Sequence, residues 1–411
     1  MEVRTKPRPA KSSSAPFEDR ATEGDAAALA GAMAQITQAI ADRPPFASRV
    51  EVRLNDTQGF VVDGPSRTVE ALGAETDCRF FIKPKDLGRL LTGALEVRQA
   101  LTFGQIRLLE GEARVAVGFS DWLVGADFSR RLETGQPLPT PTRDWDRARQ
   151  DLETFGYALV EGALCADQLD AVRTRLVEQA QGEIDAGLAV SDDSTQRVPT
   201  LLNKGRIFHD ILLHPLIDAF VPDMLGDHAI LKSISASIAM PSNAAVSFMH
   251  LDQPYVQPAV PQFPMGLNML WFLDDVSEEN GATRVLPGSH KPGIAPADPF
   301  DIEGTVSAAG PAGTVLLLDS RVWHSVGHNS TDRRRHVLIT YFNRSYIRPG
   351  ENYFLSLKPG LEDTFDEKVR VMLGYRCTGS LGSVEGSPEG KMNARLKDPV
   401  GELKPMRRQA P

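Results

Sequence analysis

Histidine is missing from the first half of this chain. All eight histidines of the 411 residues lie at position 209 or later, so any imidazole-based metal site belongs to the second half. Cysteine is scarce: Cys78, Cys165 and Cys377 stand far apart. That excludes a disulfide framework and a cysteine-rich zinc site, and it suits a reducing, cytoplasmic setting. No uninterrupted apolar run nears the roughly 20 residues that a bilayer-crossing helix needs, so no transmembrane segment is expected. Basic charge is not in excess. With 45 Lys and Arg against 54 Asp and Glu, the net charge of −9 argues against a nucleic-acid partner. The first 16 residues are basic and rich in Ser and Pro but have no apolar stretch of the kind a secretory signal carries. Residues 1–24 read as a disordered leader.

What is present is ordinary for a globular protein, 41% hydrophobic and 24% charged residues. The length exceeds the usual single core, so two domains are expected. A break rich in proline between Gly135 and Thr142 separates them. The expected division is a first domain over 25–128, a linker over 129–144 and a second domain over 145–411.

In the first domain an Ala-rich helix over 26–40 is stopped by Pro44 and Pro45. Strands follow over 50–54 and 60–62, with turn residues between them, and a third over 78–82. Helices are expected over 83–93 and 94–101, then a strand over 103–111 and a final helix. This order, with Cys78 to Ile82, the run Asp86-Leu-Gly-Arg-Leu-Leu-Thr-Gly93, Phe103-Gly104 and Ile106 to Gly111, resembles the sterol carrier protein (type two) fold over about eighty residues. The resemblance implies an α+β domain with an apolar tunnel for an acyl chain or other lipid. Two other readings stay open: a small α+β core with no tunnel, and a dimerisation surface that would make the protein a homodimer.

In the second domain a helix from Asp144 feeds a short strand over 155–160, and 166–181 has apolar residues on one helical face. From Ile230 onward the pattern is short strands with turns every eight to twelve residues, which suggests a jelly-roll. The strand over 231–240 puts Ser233, Ser235 and Ser237 on one face; that face reads equally as a polar cosubstrate site or as a solvated edge. His250 and Asp252 are two apart, so in an extended chain they share a face and could grip one ion together. Joined by a distant histidine, such a pair makes the two-histidine, one-carboxylate site of non-haem Fe(II) oxygenases. His324 and His328 are the candidates for that third ligand. His209, His214 and His290 read as structural or exposed, and His336 alternates to the face opposite Arg335.

Three motifs in order, His250-x-Asp252, Glu279-Asn-Gly-Ala-Thr-Arg-Val-Leu-Pro-Gly-Ser-His290, and His324 with Asn329 and Arg335, resemble the phytanoyl-CoA dioxygenase family. The likeness spans about 145–380, from Phe155-Gly-Tyr to the stretch between Gly374 and Val384. It implies a double-stranded β-helix (jelly-roll) Fe(II)/2-oxoglutarate oxygenase in which His250, Asp252 and His324 hold the iron. Arg335, eleven residues past His324, would pair with the far carboxylate of 2-oxoglutarate, and Ser237 would lie near that cosubstrate. Three protein ligands leave room for bidentate 2-oxoglutarate and O₂. The expected reaction is hydroxylation of a small or lipid-like substrate with release of succinate and CO₂. Desaturation, epimerisation and ring formation share its first hydrogen abstraction. Asp252 speaks against halogenation, which needs that ligand position free for halide. A non-catalytic lipid carrier is the reading from another class, and the intact ligand set speaks against it.

Overall fold

The structure is a computed structural model and describes residues 23–128, 130, 132–242, 248–253, 262–376 and 381–382. The expected leader up to residue 22, Ser247 and Pro254 beside the His-x-Asp pair, Cys377 and most of the stretch after Arg376 lie outside the described residues. Two compact units result: one of residues up to Asp127 together with Ala297–Pro299, the other of Phe128–Pro296 and the residues from Phe300 on.

The first unit opens with helix α1 (Glu23–Ile40). Strands β1 (Arg49–Arg53), β2 (Gly59–Asp63), β3 (Thr68–Ala71) and β4 (Cys78–Ile82) follow. Helices α2 (Pro84–Leu91) and α3 (Val97–Thr102), strand β5 (Ile106–Glu110) and helix α4 (Ala113–Val124) complete it. The sheet order is β3-β2-β1-β4-β5, with β1 parallel to β4 and the other pairs antiparallel. Strand β3 escaped the sequence reading because Thr-Val-Glu-Ala is short and its side chains are not deeply buried. Ile36, Val50, Phe60, Phe80, Leu90 and Phe119 pack one core between sheet and helices. Pro84 at the start of α2 supplies a preset φ where no N–H is needed.

The second unit begins with helix α5 (Trp145–Phe155), capped by the Asp144 carboxylate on the N–H groups of Asp146 and Arg147. Strand β6 (Tyr157–Val160) and helix α6 (Ala166–Asp185) follow, then the hairpin β7 (Val190–Ser191) and β8 (Thr195–Val198). Next come helices α7 (Arg206–Ile211) and α8 (Pro215–Leu225) and strand β9 (Ile230–Ala239). Strands β10 (Gly266–Phe272), β11 (Thr283–Val285), β12 (Val306–Ala308), β13 (Val315–Asp319), β14 (His324–Ser325) and β15 (Arg335–Asn343) build the rest. Short helices α9 (Tyr353–Ser356) and α10 (Glu367–Met372) end the described chain.

These strands form a sheet in the order β6-β13-β10-β15-β9-β8-β7 and a small one, β12-β11-β14. Every residue of β10 and β13 is buried, as expected of central strands covered on both faces. One face of the large sheet, with Trp271, Leu317, Leu338 and Ile238, packs on the helices. The other, with Leu270, Phe272, Leu316 and Val337, packs against Val285 and Ala308 of the small sheet. This is a jelly-roll-type core.

The expected linker is in part a component of this sheet. Thr142 pairs in parallel with Val160, its N–H donating to Leu159 O at 3.0 Å and its carbonyl accepting from Glu161 N at 2.8 Å. Prolines at 137, 139 and 141 forbid a regular ladder but not a single bridge at an edge.

Candidate metal centre

Met249 and Leu251 are fully buried, in a cluster with Leu286, Ile294 and Trp323. Their alternation turns His250 and Asp252 to the opposite side, which is how an extended segment presents residues two apart. The segment is not part of a strand ladder. It is held by one antiparallel bridge in which His250 N donates to His324 O at 2.9 Å and His324 N donates to His250 O at 3.1 Å. On its other side His324 pairs with Val285 of β11. Two histidines 74 positions apart thus lie side by side, their ring centroids 4.4 Å apart.

Asp252 completes the cluster. Its Oδ1 is 3.8 Å from His250 Nε2 and 3.6 Å from His324 Nε2, and the three ligand atoms lie within 4.8 Å of one another. The other ring nitrogens are engaged: His250 Nδ1 with Phe248 O at 3.3 Å and His324 Nδ1 with Val322 O at 2.9 Å. A carbonyl only accepts, so each ring carries its proton on Nδ1 and turns the Nε2 lone pair toward Asp252. Burial and the neighbouring His324 pull the His250 pKa down to about 4, which keeps that ring neutral and fit to ligate. Burial opposes ionisation of Asp252, but His324, His250 and Lys232 hold its pKa below the usual carboxylate value. Two imidazoles that present Nε2 to one ionised carboxylate are the donor set that suits a divalent transition metal.

The remaining atoms of Asp252 are fixed. Asn268 Nδ2 donates to Oδ2 at 2.9 Å, leaving Oδ1 to face the histidines. The backbone carbonyl of Asp252 accepts from Lys232 Nζ at 2.9 Å and Tyr341 OH at 3.0 Å. The Lys232 ammonium also lies 3.8 Å from the Tyr341 ring centroid, and burial lowers its pKa to about 8. The sequence reading missed all three residues. Asn268 had left a signal, a lone amide in the apolar run of β10 on the same face as Leu270 and Phe272.

Arg335 begins β15 and is 5% exposed. Nη2 donates to Gly281 O and Nε to Asn280 O at 3.3 Å, and among the described residues no carboxylate lies within ion-pairing distance of it. Burial pulls its pKa down to about 10, so it is charged at neutral pH. Ser237 is buried and pairs with Val337, two residues along β15 from Arg335; Arg197 of β8 pairs with Ser237 from the other side. The register therefore puts Arg197, Ser237 and Arg335 on the same inner face of the sheet.

The other histidines stand apart from this cluster. His328 Nε2 meets Ser242 O at 2.6 Å, and His290 Nε2 meets Glu153 O at 3.0 Å. His209 Nε2 meets Leu202 O, and His214 receives the N–H of Leu216. His336 Nδ1 lies 2.7 Å from Asp274 Oδ2 on the opposite face from Arg335. Burial pushes the Asp274 pKa up, but hydrogen bonds from His336 and Arg173 outweigh it and hold it at about 2. Gly156 ends α5 with φ +80°, and Val322 and His290 crowd the place where a Cβ would stand. Only glycine combines that backbone with that approach.

Residues 152–337 match the model of the phytanoyl-CoA dioxygenase (PhyH) family. That match covers just under half of the chain, and over it the chain is similar to that family. The chain is similar to Dioxygenase af480 of Aspergillus fumigatus, with 28% identity over 261 residues, 58% of this chain and 82% of the relative. Dioxygenase trt7 of Aspergillus terreus is 28% identical over 255 residues, 58% and 87% of the two chains. The uncharacterized protein Rv1501 of Mycobacterium tuberculosis is 24% identical over 237 residues, 56% and 86%. A crystal structure of HygX from Streptomyces hygroscopicus with nickel, 2-oxoglutarate and hygromycin B bound matches with a TM-score of 0.41, 17% identity, 49% of this chain and 88% of that one; a likeness so distant bears on nothing further. The family match and the donor set agree: the enzyme is a 2-oxoglutarate-dependent dioxygenase that uses Fe(II) and O₂. Among the described residues no helix is long and apolar enough to cross a membrane.

Proposed function

We propose that His250, Asp252 and His324 are the iron ligands, that Arg335 binds the far carboxylate of 2-oxoglutarate with Ser237 nearby, and that the enzyme hydroxylates a small or lipid-like organic substrate. The observation that carries this reading is the convergence of two Nε2 lone pairs and one carboxylate oxygen within 4.8 Å. For each substrate C–H converted to C–OH, one O₂ and one 2-oxoglutarate are consumed and succinate and CO₂ released. The iron supplies the oxidising chemistry once bound. The protein's part is to hold three ligands on one side and to keep Asp252 to a single coordinating oxygen through Asn268. Among the described residues the buried Arg335 guanidinium has no carboxylate partner, a state that costs free energy unless an anion arrives to accept its remaining donors.

For the first unit, the reading is a sterol-carrier-like module that supplies an apolar substrate. Its support is the element order, three strands, a crossover to β4, two helices, β5 and a final helix, with the sheet order β3-β2-β1-β4-β5. The apolar tunnel implied by the resemblance is not what the described cavity of this unit provides, since basic side chains line it.

The test is Fe(II) titration and succinate formation without added substrate, using the full chain and its His250→Ala, Asp252→Ala and His324→Ala forms. Loss of both in all three, with His328→Ala unaffected, is the expected result. Retention of iron by His324→Ala and its loss from His328→Ala would overturn the ligand assignment.

A further inference from the structure

Strand β9 carries an irregularity. Its pairing with β15 runs residue against residue from Ala239 opposite Arg335 to Ser233 opposite Tyr341, and then slips: Leu231 faces Phe342, and Lys232 has no opposite residue. Lys232 and Ser233 thus stand together across from Tyr341, a β-bulge. Strict alternation from Ser237, Ser235 and Ser233 would send Lys232 to the helix side of the sheet with Ile234 and Ile238. The bulge resets the alternation. Leu231 and Phe342 take the helix side, and the Lys232 ammonium lies 3.8 Å from the Tyr341 ring centroid on the inner face.

Lys232 is held at both ends. Its carbonyl accepts the N–H groups of Gly350 at 2.9 Å and Glu351 at 3.0 Å, and a Cβ on Gly350 would crowd the lysine stem at 3.3 Å. Its Nζ donates to the carbonyl of Asp252 at 2.9 Å, where Tyr341 OH also donates at 3.0 Å. Both lone pairs of that carbonyl are then taken. Asp252 N donates to Ser320 O at 3.3 Å and Asn268 Nδ2 donates to Asp252 Oδ2 at 2.9 Å, so Oδ1 is the atom left to face His250 and His324. Burial lowers the Lys232 pKa to about 8, the mark of an ammonium kept out of water at a cost. A methionine would fill the same space without that cost, so packing alone does not account for a lysine here.

We infer that Lys232 is a positioning residue of the iron centre, turned inward by the β9 bulge to fix the Asp252 main chain so that Oδ1 alone is presented to the metal. This rests on Asp252 being an iron ligand. Lys232 acts through Asp252 and touches neither the metal nor the cosubstrate in this role.

The experiment is anaerobic calorimetric titration of the metal-free full-length protein with Fe(II), alongside its thermal melting, for Lys232→Met, Lys232→Arg, Tyr341→Phe and Asp252→Ala. Lys232→Met should bind Fe(II) about tenfold or more weakly, the usual range for losing an outer partner of a ligand, while melting at or above the wild-type temperature. Lys232→Arg keeps a donor and a cation over the ring and should recover most of the affinity. Tyr341→Phe loses one donor to the same carbonyl and keeps the ring, so it should weaken binding less. Combined with Lys232→Met it should weaken binding by more than the two separate effects multiplied, because Asp252 O then loses both donors. Wild-type iron affinity in Lys232→Met, with binding lost in Asp252→Ala, overturns this inference and leaves the ligand assignment standing. Weaker binding accompanied by a lower melting temperature of metal-free Lys232→Met makes the contact structural and overturns it too. Wild-type affinity in Asp252→Ala overturns the ligand assignment, and the inference with it.

Discussion

His250 and His324 exchange backbone hydrogen bonds in both directions, 2.9 Å one way and 3.1 Å the other. This two-bond bridge sets the separation of the imidazoles before any metal arrives. Asp252, two residues on, reaches the same point because Met249 and Leu251 are anchored below it. The centre is preorganised by backbone pairing and apolar anchoring, with the side chains themselves left free to ligate.

That anchoring predicts a remote effect. Leu251→Ala removes a fully buried side chain between the two proposed ligands His250 and Asp252 and should cost about 2–5 kcal/mol of stability. Iron affinity should fall as well, because the 250–252 backbone gains freedom. Chemical denaturation with and without Fe(II) checks both; unchanged iron binding would separate anchoring from ligation.

Asn268→Ala strips Asp252 Oδ2 of its 2.9 Å donor. Iron affinity should drop by roughly 10–100-fold, the usual penalty for losing an outer partner of a ligand. The expected split is weaker iron binding with an unchanged 2-oxoglutarate dependence at saturating iron. A change confined to the 2-oxoglutarate titration would mean that Asn268 serves the cosubstrate instead.

Arg335→Ala removes the buried guanidinium, and its loss should cost about 2–5 kcal/mol of 2-oxoglutarate binding. The apparent affinity should therefore weaken by more than tenfold, with iron affinity retained. Arg335→Lys keeps the charge but not the planar fork, so it should recover only part of the affinity. An unchanged titration in Arg335→Ala would remove this residue from the cosubstrate site.

Glu351 links stability to pH. Burial raises its pKa from 4.5 to about 7, against hydrogen bonds from the N–H groups of Ile234 and Thr200 that lower it. With the folded value above the unfolded one, the contribution is fully present below pH 4.5. It is lost as pH rises toward 7. Between those limits stability should fall with rising pH by up to about 2–3 kcal/mol from this group. Glu351→Gln, neutral at every pH, should flatten that slope and be the more stable protein at pH 8. Parallel melting curves for the two proteins from pH 5 to 8 would refute the coupling.

A chain beginning at Phe128 should keep iron and 2-oxoglutarate binding, since 284 residues are ample for one core. A chain beginning at Asp144 loses the bridge from Thr142 to Val160 and should melt at a lower temperature. If the first unit delivers an apolar substrate, both truncations should depress product formation at low substrate while sparing uncoupled succinate release. Normal turnover at every substrate concentration would remove the carrier role.

Much of this was legible in the chain alone. Local signals identified α1, β4, α2, α6 and β9, because helical and strand periodicities survive wherever one face is buried. His-x-Asp spacing and the later His and Arg motif supplied the proposed site residues, since ligand chemistry restricts residue type. Two-residue periodicity also foretold that His250 and Asp252 would share a face. What the sequence could not carry was long-range pairing. The bridge that sets His250 beside His324 spans 74 residues, and Thr142 joined the sheet through a single pairing that leaves no periodic trace. Asn268, Lys232 and Tyr341 converge on Asp252 from three strands or loops distant in the chain. The basic side chains that line the first unit's cavity look, in sequence, like scattered surface charge. They became a cluster only when β4, α2 and β5 folded together, because charge density depends on distance in space and side-chain type fixes only its sign.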